Sequence, residues 1–315
     1  MTILLIRPLR SARALALAAR ALALIALAGL MVVPAAALDL EASAFFGNLG
    51  LPWAGEEPLT GAQFPSDAWI YGGKAGFTDE LGEGLSLYAG YETDPTLRHV
   101  VKGIISYESG IASISAGPRV GVFNTAQTPL KAGIEVGFRL DAPGIAFFSV
   151  DTASSMGVGL ASAGDYSQEY SDISAGWYVY NAICSFSMTT KRYTRVLASG
   201  EPLVDASNDY LFSVDTYKKG APYRVLTELG YRTMTRSYPD GSSDGLGAVV
   251  LAAEISADVS PALTLVAGLD SGVYVFGIES LAGRGPASSA FMFSASLGAV
   301  VRLPQAGAAI EQAAE

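Results

Sequence analysis

The chain has 315 residues, with 35 Gly, 15 Tyr, 13 Phe, one His, one Cys and only 16% charged residues, a balance rich in strand and turn formers. Its formal net charge of −10 lacks the basic footprint that phosphate contacts need, which argues against nucleic acid as a partner. The lone Cys184 excludes an internal disulfide, and one histidine with one cysteine cannot build a transition-metal cluster.

Residues 1–37 carry Arg7, Arg10, Arg13 and Arg20 and no acid, then an almost wholly apolar run from Ala21 to Val33, then Pro34-Ala35-Ala36-Ala37. A basic start, an apolar stretch and small residues before Leu38 predict a cleaved secretory signal peptide. An uncleaved anchor is the alternative, and the run is just short of comfortable spanning length. Removing four arginines and no carboxylate takes the net charge from −10 to −14. No cysteine lies near the cleavage point to carry a lipid.

No later segment has the length and apolarity of a spanning helix; the most apolar stretch, Ala248 to Ala257, is short and interrupted by Glu254. Membrane residence would therefore need strands that close on themselves, because a bilayer offers backbone groups no water. The chain supports this from about residue 38 to 303. In Leu130 to Leu140, one parity reads Leu130, Ala132, Ile134, Val136, Phe138, Leu140, and the other Lys131, Gly133, Glu135, Gly137, Arg139. Tyr223 to Thr233 sets Tyr223, Val225, Leu229 and Tyr231 against Arg224, Glu228, Gly230 and Arg232, with Leu226 and Thr227 as lapses. Phe291 to Leu303 sets Phe291, Phe293, Ala295, Leu297, Ala299, Val301 and Leu303 against Ser294, Ser296, Gly298 and Arg302. Such a period of two cannot be helical.

Extending the reading predicts about 14 strands: 39–48, 68–78, 84–93, 99–108, 111–123, 130–140, 145–153, 173–180, 183–194, 209–217, 223–235, 246–257, 262–276 and 289–303. Twelve is the alternative number. Turn-like connections at 79–83, 109–110, 141–144, 181–182, 218–222 and 258–261 alternate with longer or more irregular ones at 49–67, 94–98, 124–129, 154–172, 195–208, 236–245 and 277–288. Alternation of tight turns with open loops is what a barrel spanning a bilayer requires. A secreted soluble all-β protein would share the short strands and turns, but it would not need connection length to follow strand parity.

The leader, the up-and-down alternation and aromatics near strand ends, among them Trp69, Tyr71, Phe77, Tyr91, Tyr107, Trp177 and Tyr193, together resemble bacterial outer-membrane β-barrel proteins. The resemblance covers residues 38–303 and is architectural, with no subfamily motif. By size it is similar to monomeric porins of about 14 strands and to fatty-acid transporters of that strand number, although the latter usually carry an N-terminal plug and here a strand starts almost at the cleavage point. Many such barrels end on an aromatic residue read by the assembly machinery, whereas this chain continues from Pro304 to Glu315.

The resemblance implies an all-β, transmembrane, up-and-down antiparallel barrel in the outer membrane of a diderm bacterium, with a leader at 1–37, the barrel at 38–303 and a periplasmic tail at 304–315. Its partners would be outer-membrane lipid, small solutes and the barrel-assembly machinery. The expected function is a passive channel or uptake pore for small polar solutes. A structural or surface-interaction barrel with a closed lumen is the first alternative, and a transporter of apolar ligands the second.

Parity assigns lumen-lining roles to Glu92, Lys102, Arg119, Lys131, Glu135, Arg139, Arg224, Glu228, Arg232, Glu254 and Asp270, with Glu41, Lys74, Lys191 and Asp215 on the same faces. Arg119, Lys131, Arg139, Arg224 and Arg232 would form a positive wall against Glu92, Glu135, Glu228, Glu254 and Asp270, setting selectivity; alternatively these charges pair for stability and select nothing. His99, near Asp94 and Glu92 in sequence, is the one candidate base, and a lone histidine at a strand end is more often a rim residue. Cys184 shares the apolar parity of Phe186 and Met188. Glu56-Glu57 and Asp240 with Asp244 read as solvated loop charge rather than calcium ligands. No catalytic residue, cofactor site or metal site is expected.

Overall fold

A computed structural model describes residues 38–49, 70–123, 130–155, 166–197, 199–217, 221–277 and 292–303. The expected leader and tail, Trp69, Glu56 and Glu57 lie outside the described residues. Fourteen strands are described: β1 Leu38–Gly47, β2 Ile70–Gly82, β3 Leu85–Asp94, β4 Arg98–Ser109, β5 Ala112–Val122, β6 Leu130–Ala142, β7 Ala146–Ser154, β8 Ser167–Val179, β9 Ala182–Val196, β10 Pro202–Tyr217, β11 Tyr223–Ser237, β12 Ser243–Ser260, β13 Leu263–Phe276 and β14 Met292–Leu303. Each strand pairs antiparallel with its sequence neighbours, and β1 closes on β14 from Leu38 opposite Leu303 to Gly47 opposite Ser294. Closure gives every strand two partners and removes the edges that lipid could not satisfy.

The outer face follows from the alternation. In β6, Leu130, Ile134, Val136, Phe138 and Leu140 are exposed while the intervening residues are half-buried, so the apolar parity points out and the charged parity in. All fourteen strands place at least one large apolar side chain outside, for example Leu40, Tyr71, Leu85, Ile105, Ile114, Phe148, Ile173, Phe186, Phe212, Leu229, Leu251, Leu269 and Leu297. An apolar face carried all the way round is far beyond the patch a water-soluble monomer tolerates. Eleven residues at about 3.3 Å each, tilted by about 40°, give a band of about 28 Å, enough for the lipid-facing belt of about 25 Å of a transmembrane barrel. Phe46, Tyr71, Tyr274 and Phe276 stand at the loop-side end of this band, and Tyr107, Trp177, Tyr180 and Tyr223 at the turn-side end.

Tight turns close the hairpins on one side. Gly110 at φ 62° and Gly144 at φ 76° take left-handed conformations that a side chain resists, which fixes the β4–β5 and β6–β7 turns. On the opposite side, β8, β10 and β12 extend several residues beyond the expected 173–180, 209–217 and 246–257. The extensions, such as Ser167-Gln168-Glu169 and Ser207-Asn208, are polar on both faces, so periodicity does not reveal them. They shorten the expected irregular connections at 195–208 and 236–245, β10 beginning at Pro202 and β12 at Ser243, while β3 and β4 each gain a residue and leave 95–97 between them.

The loop-side interior is packed. Leu49, Met234, Leu246 and Met292 form one buried cluster, and Phe123, Tyr166 and Tyr193 another, with Phe123 at 5.3 Å and 5.4 Å from the two tyrosine rings. Tyr193, expected among the strand-end aromatics, therefore belongs to this inner cluster, because its odd parity in β9 faces the lumen with Lys191.

Candidate functional site: the charged lumen

The inward parity builds two charged groups at mid-barrel. On the β3–β6 side, Lys102 and Arg119 stand directly opposite each other in register, a like-charge pair that would cost stability by itself. Carboxylates bracket it: Glu135 accepts from Arg119 at 2.6 Å and lies 3.5 Å from Lys102, whose other flank has Glu92 at 3.5 Å. Lys74 on β2 pairs with Glu41 on β1 at 2.8 Å. The rings of Tyr88 and Tyr170 carry the remaining cation contacts, with the Lys74 and Lys102 ammonium groups at 5.9 and 5.8 Å over Tyr88 and the Arg119 guanidinium at 5.9 Å over Tyr170. A cavity of about 260 Å³ opens among Lys74, Glu92, Lys102, Arg119, Tyr170 and Lys191.

On the β10–β14 side, Arg232 bonds Asp209 opposite it at 2.8 Å and reaches over β12 to Asp270, also at 2.8 Å. The small, inward Ala248 and Ala252 leave room for that reach. Ser213 donates to Glu228 at 3.0 Å. Glu254 is exposed to two adjoining cavities of about 160 and 250 Å³, one shared with Glu228 and Asp270, the other with Glu41 and Lys74.

The expected lumen residues thus divide. Glu92, Lys102, Arg119 and Glu135 meet in one cluster, and Glu228, Arg232, Glu254 and Asp270 in another. Lys131 faces inward opposite Gly121 toward the loop side. Arg139 and Arg224 sit at the turn-side rim, where Arg139 pairs with Asp141 at 2.6 Å and lies 4.3 Å over the Phe147 ring, while Arg224 pairs with Asp215. A positive wall facing a negative one is not formed. Arg119, Arg139, Arg224 and Arg232 each have a carboxylate on their own or a nearby strand, where short-range pairing neutralises charge more effectively than an opposite wall does.

His99 points outward, at the lipid-side rim, with its Nδ1 2.7 Å from the Tyr91 hydroxyl, which also accepts from Thr93. Glu92 and Asp94 lie on the inner face, so the imagined base–acid pair is separated by the sheet. Cys184 remains on the outer parity with Phe186 and Met188, half-buried opposite Trp177. Among the described residues no group of three or more His, Cys, Asp or Glu side chains could hold a metal ion.

Periodicity did not reveal a second buried group of charges. Arg98 Nη2 lies 2.9 Å from Asp205, which also binds Arg236 at 2.6 and 2.8 Å, and all three side chains are at most 8% exposed. Asp94 accepts from Lys191 at 2.6 Å. Arg98, Asp205 and Arg236 all fell in segments expected to be loops.

No protein-family profile matches this chain, and no curated protein sequence matches it. Among solved structures it is similar to OmpT, an outer membrane protein of Vibrio cholerae, at 10% identity over 85% of this chain and 96% of that one, with a TM-score of 0.42. An outer membrane channel from Pseudomonas putida F1 aligns over 86% and 97% at 9% identity and a TM-score of 0.44. An anion-selective porin from Comamonas acidovorans aligns over 85% and 98% at 12% identity and a TM-score of 0.40. Likeness at this level carries no functional argument. The strand order and the outward apolar band by themselves make the chain a transmembrane, up-and-down antiparallel β-barrel of fourteen strands.

Proposed function

We propose that the mature chain, residues 38–303 with the tail at 304–315, is exported through the leader at 1–37 to the outer membrane of a diderm bacterium and serves there as a passive channel for small polar solutes. The observation that carries this reading is the mid-barrel lumen, where charged side chains line three cavities of about 160 to 260 Å³, two of them with charges of both signs. Charge in a lipid-embedded cylinder is tolerated where it is paired or faces water, and Glu254 faces a cavity. A lumen of this polarity disfavours transport of apolar ligands. Outer-membrane lipid and the barrel-assembly machinery are the partners this placement requires.

A structural or surface-interaction barrel with a closed lumen is the second reading, favoured by the packed loop-side interior. Planar-bilayer recording separates the two. Discrete ion-conducting steps from the refolded mature chain support the channel, and electrical silence from protein with the heat-modifiable gel mobility of a folded barrel overturns it.

A further inference from the structure

Asp94, Leu97 and Arg98 belong to the β3–β4 hairpin, yet their partners lie across the barrel. Lys191, which binds Asp94, is on β9, and Asp205, which binds Arg98, is on β10. In a closed ring of fourteen strands, β3 to β9 and β4 to β10 are each six strands apart one way and eight the other. A hydrogen bond of 2.6 to 2.9 Å between such strands exists only if the hairpin tip crosses the lumen.

Further contacts tie the tip down. Gln168 of β8 donates its amide to the Leu97 carbonyl at 2.6 Å and to the His99 carbonyl at 3.1 Å. The Arg98 guanidinium lies 5.5 Å over the Tyr193 ring. Leu97 is 2% exposed. The tip is also a compact, self-capped unit, since Asp94 Oδ1 accepts from the backbone amides of Thr96 and Leu97 at 2.7 and 2.8 Å.

Two features give the crossed arrangement a competing state. Arg98 is held at φ 71°, a left-handed conformation that a long side chain does not choose. The attachments are polar and few, set on side chains rather than on a continuous strand ladder, so they can be exchanged for water without unpairing the barrel.

We propose that the β3–β4 hairpin tip is a gate across the lumen, latched by Asp205 to Arg98 and by Lys191 to Asp94, and that its release opens the cavity beneath it to the loop side. This rests on the channel reading and adds its regulation. The mid-barrel cavity, lined by Asp94 and Leu97 as well as by Lys102 and Arg119, lies against the tip, so a displaced tip joins that cavity to the mouth.

The test uses the full mature chain refolded in detergent, as wild type, Asp205→Asn and Lys191→Gln. Each is recorded in potassium chloride across a planar bilayer. In parallel, Leu97→Cys, placed in a Cys184→Ala background, is labelled with a water-soluble maleimide with and without each latch substitution. Loss of one charge-assisted bond raises the open fraction, and the labelling rate of position 97, about tenfold. Steady wild-type conductance that neither substitution changes, with equal labelling rates, overturns the gate and leaves the channel standing. Silence from every folded variant overturns the channel reading, and the labelling then decides the gate alone: faster labelling of the latch variants supports it and equal rates overturn it. If Asp205→Asn lacks the folded gel mobility, the less buried Lys191→Gln gives the answer.

Discussion

Arg98 Nη2 lies 2.9 Å from Asp205 Oδ2 although 107 residues separate them in the chain and six strands separate them around the ring. Arg236 binds the same carboxylate from the neighbouring strand, so one buried acid serves two buried cations from opposite walls.

Asp205→Ala removes the carboxylate and leaves both guanidinium groups out of water, which costs roughly 3–5 kcal/mol. The expected outcome is a lowered temperature for loss of the folded mobility on a detergent gel. Asp205→Asn, which keeps an acceptor, falls between wild type and Ala.

The two faces respond oppositely to charge. Leu229 on β11 is 56% exposed on the lipid side, and Leu229→Arg near mid-band costs about 2–4 kcal/mol of folding into a bilayer. Arg224→Gln on the same strand breaks the solvent-exposed pair with Asp215 and costs less than about 1 kcal/mol. Urea titration of folding into lipid vesicles measures both.

A Cβ at Gly133 would stand 1.6 Å from the Ser154 carbonyl oxygen and 2.7 Å from the Ser155 Cα, both backbone atoms that no rotamer change can move. Gly133→Ala is therefore expected to cost about 3 kcal/mol and to loosen the loop-side end of the β6–β7 pair. Amide hydrogen exchange of Ser154 and Ser155 reports the loosening.

In the β11–β12 connection, burial and a hydrogen bond to Asp244 push the Tyr238 phenol up to about 12. A folded pKa above the unfolded value of about 10 makes this contribution complete below pH 10 and lost as pH rises through 12. Tyr238→Phe should lose this contribution at neutral pH and remove the stability change in that window. Thermal melts of both proteins at pH 9, 11 and 12 check it. Asp240 in the same turn behaves conversely: Ser242 donates to it from its hydroxyl and its amide, holding the carboxyl below its usual range, so its contribution persists above about pH 4 and is lost as pH falls through that lower value.

The strands and their faces were legible because each residue's parity is a local property. Leu130 to Leu140 displays it without exception and Phe293 to Leu303 with Val300 as a lapse, and β6 and β14 follow it. Lumen residues such as Lys102, Glu135 and Arg232 were legible by the same parity, but their partners were not. Nothing near Arg232 in sequence points to Asp270, which it reaches over an intervening strand. Segments beyond the lipid band show no such alternation, because outside the bilayer the outward parity need not be apolar, and the buried Asp205, Arg236 and Gln168 lie in segments of that kind.

By itself the amino-acid sequence determined an all-β chain whose grease-facing and charged positions alternate, since a pleated backbone turns each successive side chain to the other face. Only the tertiary structure decided that the ring closes with fourteen strands, that opposite charges mingle instead of facing each other, and that one hairpin tip crosses the lumen. Those outcomes depend on which distant strands meet, and a pattern of period two holds no information about distance along the chain.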